Sequence, residues 1–246
     1  MNDKLIEQSR YDGRAATVID NSESFTFNKL PSYYLPPFNS YYNLLTTIPS
    51  GSRVLEIGAG MGENTEFLLN NGFKVVSTDI SPNSVKVMKN RFAQFKNFQS
   101  EVADMEELQF ENDSFDAICS AGSLSYGENR IVRNNIYRIL KTNGVFIAID
   151  SLNNNLIYRF NRYLHYLSGN RSKSTLHRMP NIDLISKYIA KFGKGEVAYF
   201  GSITYLFPLL RKFKTEESIT SLSNSIDKKL NIKKSAFKFT MKVTKL

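Results

Sequence analysis

Short apolar runs alternate with stretches of helical periodicity through the middle of the chain. Val54 and Leu55 lead into a glycine-rich turn, and residues 63–69 follow as a helix-like run. Residues 74–79 read as a second strand. Ser81-Pro82 starts a helix, because serine caps and proline fits the first helical position. Val85, Met88, Phe92 and Phe95 then recur at helical spacing and give one buried face. Residues 98–103 and 115–120 read as the third and fourth strands. Ile131, Val132, Ile136, Ile139 and Leu140 mark the next helix, with Arg130, Arg133 and Arg138 facing out. Residues 145–149 are continuously apolar, as in a strand at a sheet centre covered on both faces. The alternation predicts an α/β fold built on a parallel sheet.

The flanks are less regular. Residues 31–38, punctuated by proline and rich in tyrosine, read as a loop, and residues 39–47 as a short helix. After Asp150, residues 156–167 form a helical pattern with Leu156, Ile157, Phe160, Leu164 and Leu167 on one face and Tyr158, Arg162 and His165 on the other. A loop rich in Ser, Gly and bases (168–180) precedes an amphipathic helix at 182–192. Residues 195–204 read as a sixth strand, 205–213 and 216–230 as helices, and 235–243 as a last strand.

The chain of 246 residues suits one α/β domain with decorations. No run of about 18 apolar residues is present, so no transmembrane helix is expected. The first residues are polar and lack the apolar core of a signal peptide. Cys119 is the single cysteine, which leaves no internal disulfide and predicts a cytoplasmic protein. Its place among apolar neighbours, 117–120, predicts a core thiol rather than a reactive one. The formal charge of +9 is unevenly spread. Seven acids and no bases fall in 101–116, nine Lys or Arg against one acid in 129–178, and seven lysines with no acid from 228 onward. Such a field attracts anionic partners: nucleic acid, a phosphorylated small molecule, a lipid-linked pyrophosphate or a membrane surface. A merely solvated basic surface is the plain alternative. No aromatic RNP-type phrase marks an RNA-binding module.

The chemistry is concentrated in Glu56-Ile-Gly-Ala-Gly-Met-Gly62. Alternating glycines behind a strand let the backbone approach a ligand and aim the amides of the next helix into the crevice. Asp79 ends the second strand about 20 residues past the first glycine, the distance of a ribose-binding acid. A dinucleotide fingerprint G-x-G-x-x-G beginning at Gly58 needs glycine at position 63, where the chain has Glu63. That counts against a nicotinamide oxidoreductase.

These phrases resemble the class I S-adenosylmethionine-dependent methyltransferases. Val54-Leu-Glu-Ile-Gly-Ala-Gly-Met-Gly62 looks like their first motif, and Asp79 stands where their ribose acid ends the second strand. Ala103-Asp104-Met105 matches the acid beside the adenine, Asn112-Asp-Ser-Phe-Asp116 the phrase before the fourth strand, and Leu140-Lys-Thr-Asn-Gly144 the turn before the fifth. Asn143 replaces a usual glycine there, but asparagine also tolerates a left-handed turn. The resemblance covers about residues 50–150. It implies a doubly wound Rossmann-like methyltransferase sheet of seven strands, the last antiparallel, with an N-terminal segment and a helical cap. The implied division is an N-terminal lid segment (1–50), a cofactor-binding core (51–150), a helical substrate cap (151–194) and C-terminal strands and helices completing the sheet (195–246).

The resemblance also implies S-adenosylmethionine as cofactor, with S-adenosylhomocysteine as product. Gly58, Ala59, Gly60 and Gly62 would lie near its methionine and ribose parts. Glu56 would support the turn and the cofactor amino group, and Asp79 would bind the ribose hydroxyls. Ile80 would lie against the adenine, Asp104 would accept from its amino group beside Met105, and Ser120 would border the methionine. No metal site is expected.

On the acceptor side, an alcohol nucleophile is helped by a general base in reach. His165, Asp150 (at the end of the fifth strand) and Tyr126 are the candidates for catalysis. Tyr33, Tyr34, Arg162 and His177 are the candidates for substrate binding. Residues 157–180 loosely resemble methyltransferases of bacterial surface-polysaccharide or deoxysugar synthesis. The expectation is O-methylation of a small hydroxylated acceptor, a sugar nucleotide or glycan, whose phosphates would suit the arginines. The alternatives are N- or C-methylation of another small metabolite, or a methyltransferase-like protein that binds an anionic partner without catalysis. Peripheral membrane contact through the basic surface is a further expectation. Ser120-Ala-Gly-Ser123 stands where many DNA amino-methylating enzymes carry a proline-rich phrase, which lowers the nucleic-acid reading.

Overall fold

The computed structural model describes residues 3–20, 32, 35–167, 172–230 and 232–246. Among them, seven strands make one sheet: β1 (Arg53–Ile57), β2 (Lys74–Asp79), β3 (Phe98–Val102), β4 (Phe115–Ala121), β5 (Leu140–Ser151), β6 (Gly193–Phe200) and β7 (Lys238–Lys245). The spatial order is β3-β2-β1-β4-β5-β7-β6. The pairs from β3 to β5 are parallel, and β7 runs antiparallel between β5 and β6. This is the implied seven-stranded sheet with its last strand reversed.

Both faces of the sheet are covered, so the central strands are apolar throughout rather than alternating. Val54, Val75, Ala117, Cys119 and Ile147 face one layer, formed by α2 (Leu35–Leu45), α3 (Thr65–Asn70) and α4 (Pro82–Arg91). Leu55, Ile57, Ile118, Phe146 and Ala148 face the other, formed by α5 (Asn129–Ile139) and α8 (Ile182–Phe192). Helix starts are set by side-chain caps. Ser81 Oγ accepts from the Ser84 amide at 3.0 Å, and Asn181 Oδ1 accepts from the Leu184 amide at 2.8 Å. Glu128 accepts from the amides of Arg130 and Ile131, both at 3.1 Å. Each such cap is worth about 1 kcal/mol. Asn143 takes the left-handed conformation with φ of 63°. Cys119 is fully buried, and burial raises its thiol pKa well above the ordinary value, as suits a core thiol.

Several elements differ from the sequence reading. Helix α1 (Asp3–Asp20) has no counterpart there. Its anchors are polar and its Leu5 and Ile6 are exposed, so apolar periodicity does not reveal it. Helix α2 begins at Leu35 rather than residue 39, because Pro36 and Pro37 fall in its first turn, where no amide is required. The basic loop contains α7 (Lys173–Arg178), which starts behind the Ser172 side chain. Arg138 does not face out: its guanidinium donates to the carbonyls of Leu108 (2.7 Å) and Phe110 (2.6 Å) and clasps the β3–β4 connection.

Helix α6 (Leu156–Leu167) has the expected extent and the expected two faces, with the polar one turned to the protein. Tyr158 and Arg162 face the protein and are buried. Arg162 Nη1 donates to the Leu152 carbonyl (2.9 Å) and Asn153 Oδ1 (3.0 Å), satisfying backbone where β5 leaves the sheet. The Tyr158 ring meets Tyr205 and Phe237. Leu156, Ile157, Phe160, Leu164 and Leu167 point away from the protein. The remaining described helices are α9 (Phe207–Leu210) and α10 (Glu216–Leu230).

Candidate active site

Strand β1 lies between β2 and β4, the point at which the strand order reverses. A crevice opens there at the carboxyl ends of the strands. Gly58 sits at its floor with φ of 62°, and a Cβ at this position would collide with the Ser123 side chain. Gly62 has φ of 88°, and a Cβ there would lie 2.5 Å from the Phe92 ring. The tight spacing of these two glycines therefore serves packing of the turn onto β4 and α4. Glu63, which stands where a dinucleotide fingerprint has glycine, accepts from the Met61 amide at 3.0 Å and closes the turn on itself.

The acids at the strand ends are held for different purposes. Asp79 is buried in the crevice wall, with Oδ2 accepting from the Gly60 amide (2.8 Å) and Oδ1 from the Ser81 amide (2.9 Å). Burial raises its pKa, and the two amides work against that rise. Its remaining lone pairs are available to hydroxyl donors. Ile80, Ala103, Asp104 and Met105 line the same crevice. Glu56 lies beneath the turn, accepting from Thr65 Oγ1 (2.5 Å) and Ser77 Oγ (2.9 Å). Full burial pushes its pKa up to about 7. Ser120 is also buried below the surface, and its hydroxyl is 2.6 Å from that of Ser123, which does line the crevice. A second cleft, lined by Phe38, Tyr42, Ala59, Gly60 and Asn64, meets the first at Gly58 and Ala121.

Helix α1, within the segment expected to act as a lid, closes one wall with residues the sequence reading did not name. Lys4 Nζ reaches Asp104 (2.5 Å) and Glu106 (2.7 Å). Glu7 accepts from Thr175 Oγ1 at 3.1 Å and pairs with Arg10 at 2.8 Å. Tyr11 OH and Arg10 Nη2 each lie 3.1 Å from Tyr126 OH, and burial raises the Tyr11 pKa so that the phenol stays neutral. Lys4, Glu7 and Tyr11 all line the crevice. Their i, i+3, i+7 spacing is the one signal in the sequence that places them on a single helical stripe.

The expected acceptor-side residues are not gathered in one place. Tyr126 lines the crevice. Asp150 is buried at the end of β5, and its carboxylate accepts from the Leu124 amide (3.1 Å) and the Ser151 amide (2.6 Å). Burial raises its pKa, offset in part by Lys238. Arg162, expected to bind substrate, is turned inward to backbone acceptors. His177 is exposed on α7. The side chain of His165, and Tyr33 and Tyr34 altogether, lie outside the described residues.

Residues 55–148 match the methyltransferase domain family. Over that stretch the chain is similar to methyltransferase domains. The crevice brings together the acids Asp79 and Asp104 and the apolar side chains of Ile80 and Met105. Over 106 residues the chain is 31% identical to a demethylmenaquinone methyltransferase of Clavibacter sepedonicus, covering 41% of this chain and 42% of the relative. A sarcosine/dimethylglycine N-methyltransferase of Aphanothece halophytica is 32% identical over 114 residues, covering 42% of this chain and 39% of the relative. The chain thus spans about two fifths of the length of these curated relatives. The same fold occurs in the phosphoethanolamine N-methyltransferase 2 of Haemonchus contortus, solved with S-adenosylhomocysteine: TM-score 0.59, 21% identity, 85% of this chain and 52% of that one. It also occurs in the geranyl diphosphate C-methyltransferase of Streptomyces coelicolor, with TM-score 0.61, 13% identity, 85% of this chain and 79% of that one.

Proposed function

We propose that the protein binds S-adenosylmethionine in the crevice between β1, β2 and β4 and transfers its methyl group to a small-molecule acceptor. The observation that carries this is Asp79, a buried carboxylate fixed by two backbone amides at the end of β2, directly beside the Gly58 turn. The cofactor supplies a methyl group already activated on a sulfonium, so the chain's work is alignment and exclusion of water. Asp79 accepts from the ribose hydroxyls. Ile80 and Met105 offer apolar walls to the adenine, and Asp104, bridged to α1 by Lys4, closes that end. Gly58, Ala59 and Gly60 line the way to the second cleft, where the methionine end and the acceptor meet.

Two groups are candidates for taking the acceptor's proton. One is His165 on α6; the other is Glu7, a residue of the crevice wall whose carboxylate is held by Thr175 and Arg10. Asp150, the sequence candidate at the end of β5, ties the segment after β4 to that strand through the Leu124 amide. Acceptors named for the similar proteins are quinone precursors, small amines and phosphate or diphosphate esters. The net charge of +9 suits a phosphate-bearing member of this group. Sugar O-methylation rests on the basic tail after β5, and there Arg162 is committed to backbone. The sugar reading therefore stands second. A methyl-donor turnover screen tests the proposal, with phosphate esters, prenylated quinols, small amines and sugar nucleotides as separate arms. Turnover in any arm supports methyl transfer and names the class. Cofactor binding with no turnover in every arm counts against this acceptor set. In the productive arm, His165→Ala and Glu7→Gln separate the two bases, because loss of the true base removes the alkaline rise in kcat.

A further inference from the structure

We infer that the outward face of α6 docks the protein on an anionic membrane surface. An amphipathic helix ordinarily turns its apolar stripe to the protein core. Here the polar members, Tyr158 and Arg162, are packed inward, and the apolar stripe faces out: Leu156 is 74% exposed, Phe160 64% and Leu167 61%, with Ile157 and Leu164 between them. The inward side of α6 rests on Tyr205, and the chain continuing from there exposes Leu209 and Phe213, the latter 79% exposed. An exposed apolar stripe running the length of one helix marks an interaction surface.

The charge around the stripe selects the partner. No acid occurs between Asp150 and Asp183, or between Glu196 and Glu216, whereas Arg159, Lys173, Lys212 and Lys214 are exposed bases within those stretches. An apolar stripe in a stretch of chain that holds exposed bases and no acid has the composition of a helix lying in the headgroup region of an anionic bilayer. A second copy of the chain fits worse. Symmetric pairing would set the basic flanks against each other. A twelve-residue helix about 18 Å long and about 10 Å wide also offers far less than the roughly 800 Å² per partner of a stable interface. Helix α6 follows the carboxyl end of β5, the same edge of the sheet as the crevice. The docking surface and the cofactor site are therefore on one edge, although docking does not depend on the proposed activity. Among the described residues no helix is long and apolar enough to cross a membrane.

The test is co-sedimentation of the full chain with vesicles of phosphatidylcholine alone and of phosphatidylcholine mixed with phosphatidylglycerol. Wild type is expected to sediment with the mixed vesicles, and the Phe160→Asp, Leu164→Asp double variant to bind at least about tenfold more weakly. Both side chains are exposed, so the double variant should keep its melting profile. The chain has no tryptophan, so Phe160→Trp adds a single reporter. Its emission should shift to the blue on mixed vesicles and be quenched by brominated lipid. Wild type that stays in the supernatant with mixed vesicles overturns the inference, as does unshifted emission from the Phe160→Trp variant. A concentration-dependent dimer in light scattering that the double variant abolishes would also overturn it, in favour of self-association.

Discussion

Glu56 carries the clearest consequence at the level of single residues. Its pKa in the folded chain is about 7, against an ordinary 4.5. The folded state therefore holds more protons than the unfolded state between those values, and stability is fully present below about pH 4.5 and declines as pH rises toward 7. The window is worth roughly 3 kcal/mol for this one group. Asp79 and Asp150 are raised in the same direction and add to the trend. Denaturant midpoints followed against pH should fall across this window in wild type and flatten in Glu56→Gln. A second residue test is Gly62→Ala. Its φ of 88° and the Phe92 ring 2.5 Å from a new Cβ predict a loss of about 1–3 kcal/mol in urea titration. Asp79 and the glycine turn were legible in the sequence because a motif of fixed spacing carries them. Lys4, Glu7 and Tyr11 were not, because their partners Asp104, Thr175 and Tyr126 lie about a hundred or more residues away and no local pattern links them.

Among the elements, α1 and α6 are the two whose placement the sequence left open. Helix α1 is attached to the start of α4 by Asp12, whose Oδ1 accepts from Ser81 Oγ (2.5 Å) and the Asn83 amide (3.2 Å). Asp12→Ala removes that attachment, at a cost near the 1–2 kcal/mol of a lost cap. The expected outcome is faster proteolysis within residues 3–20, with the core fragment persisting and a faster release of cofactor in stopped-flow displacement. Unchanged proteolysis would mean that Lys4 and Tyr11 alone retain the helix. For α6, periodicity assigned two faces correctly but not their direction. An apolar stripe reads as the inward face by default, but here Arg162 turns inward to donate to the Leu152 carbonyl, a demand that helical periodicity does not encode. Strands β1, β2 and β4 and the middle of β5 were recovered because a doubly covered parallel sheet requires uninterrupted apolar runs, which are short and local; the polar start of β5, from Leu140 to Gly144, read as a helix end and a turn.

At the scale of the whole molecule, a widely shared architecture carries an asymmetric surface. The sheet order and the reversed last strand place every proposed cofactor contact on one edge, with α1 as a wall. A ligand that binds only the folded chain stabilises it by mass action. S-adenosylhomocysteine at about 100 times its Kd should add ~2.7 kcal/mol and raise Tm by roughly 5–10 °C. The acceptor was not legible at this scale, because net charge names a sign and not a molecule.

The most direct test is calorimetric titration of the full chain with S-adenosylhomocysteine, in wild type and Asp79→Ala. The prediction is one site per chain with micromolar affinity in wild type, weakened by about 10–100-fold in the variant as charge-assisted hydrogen bonds to the ribose are lost. No binding by wild type, or equal affinity in the two proteins, would contradict a cofactor site built on Asp79.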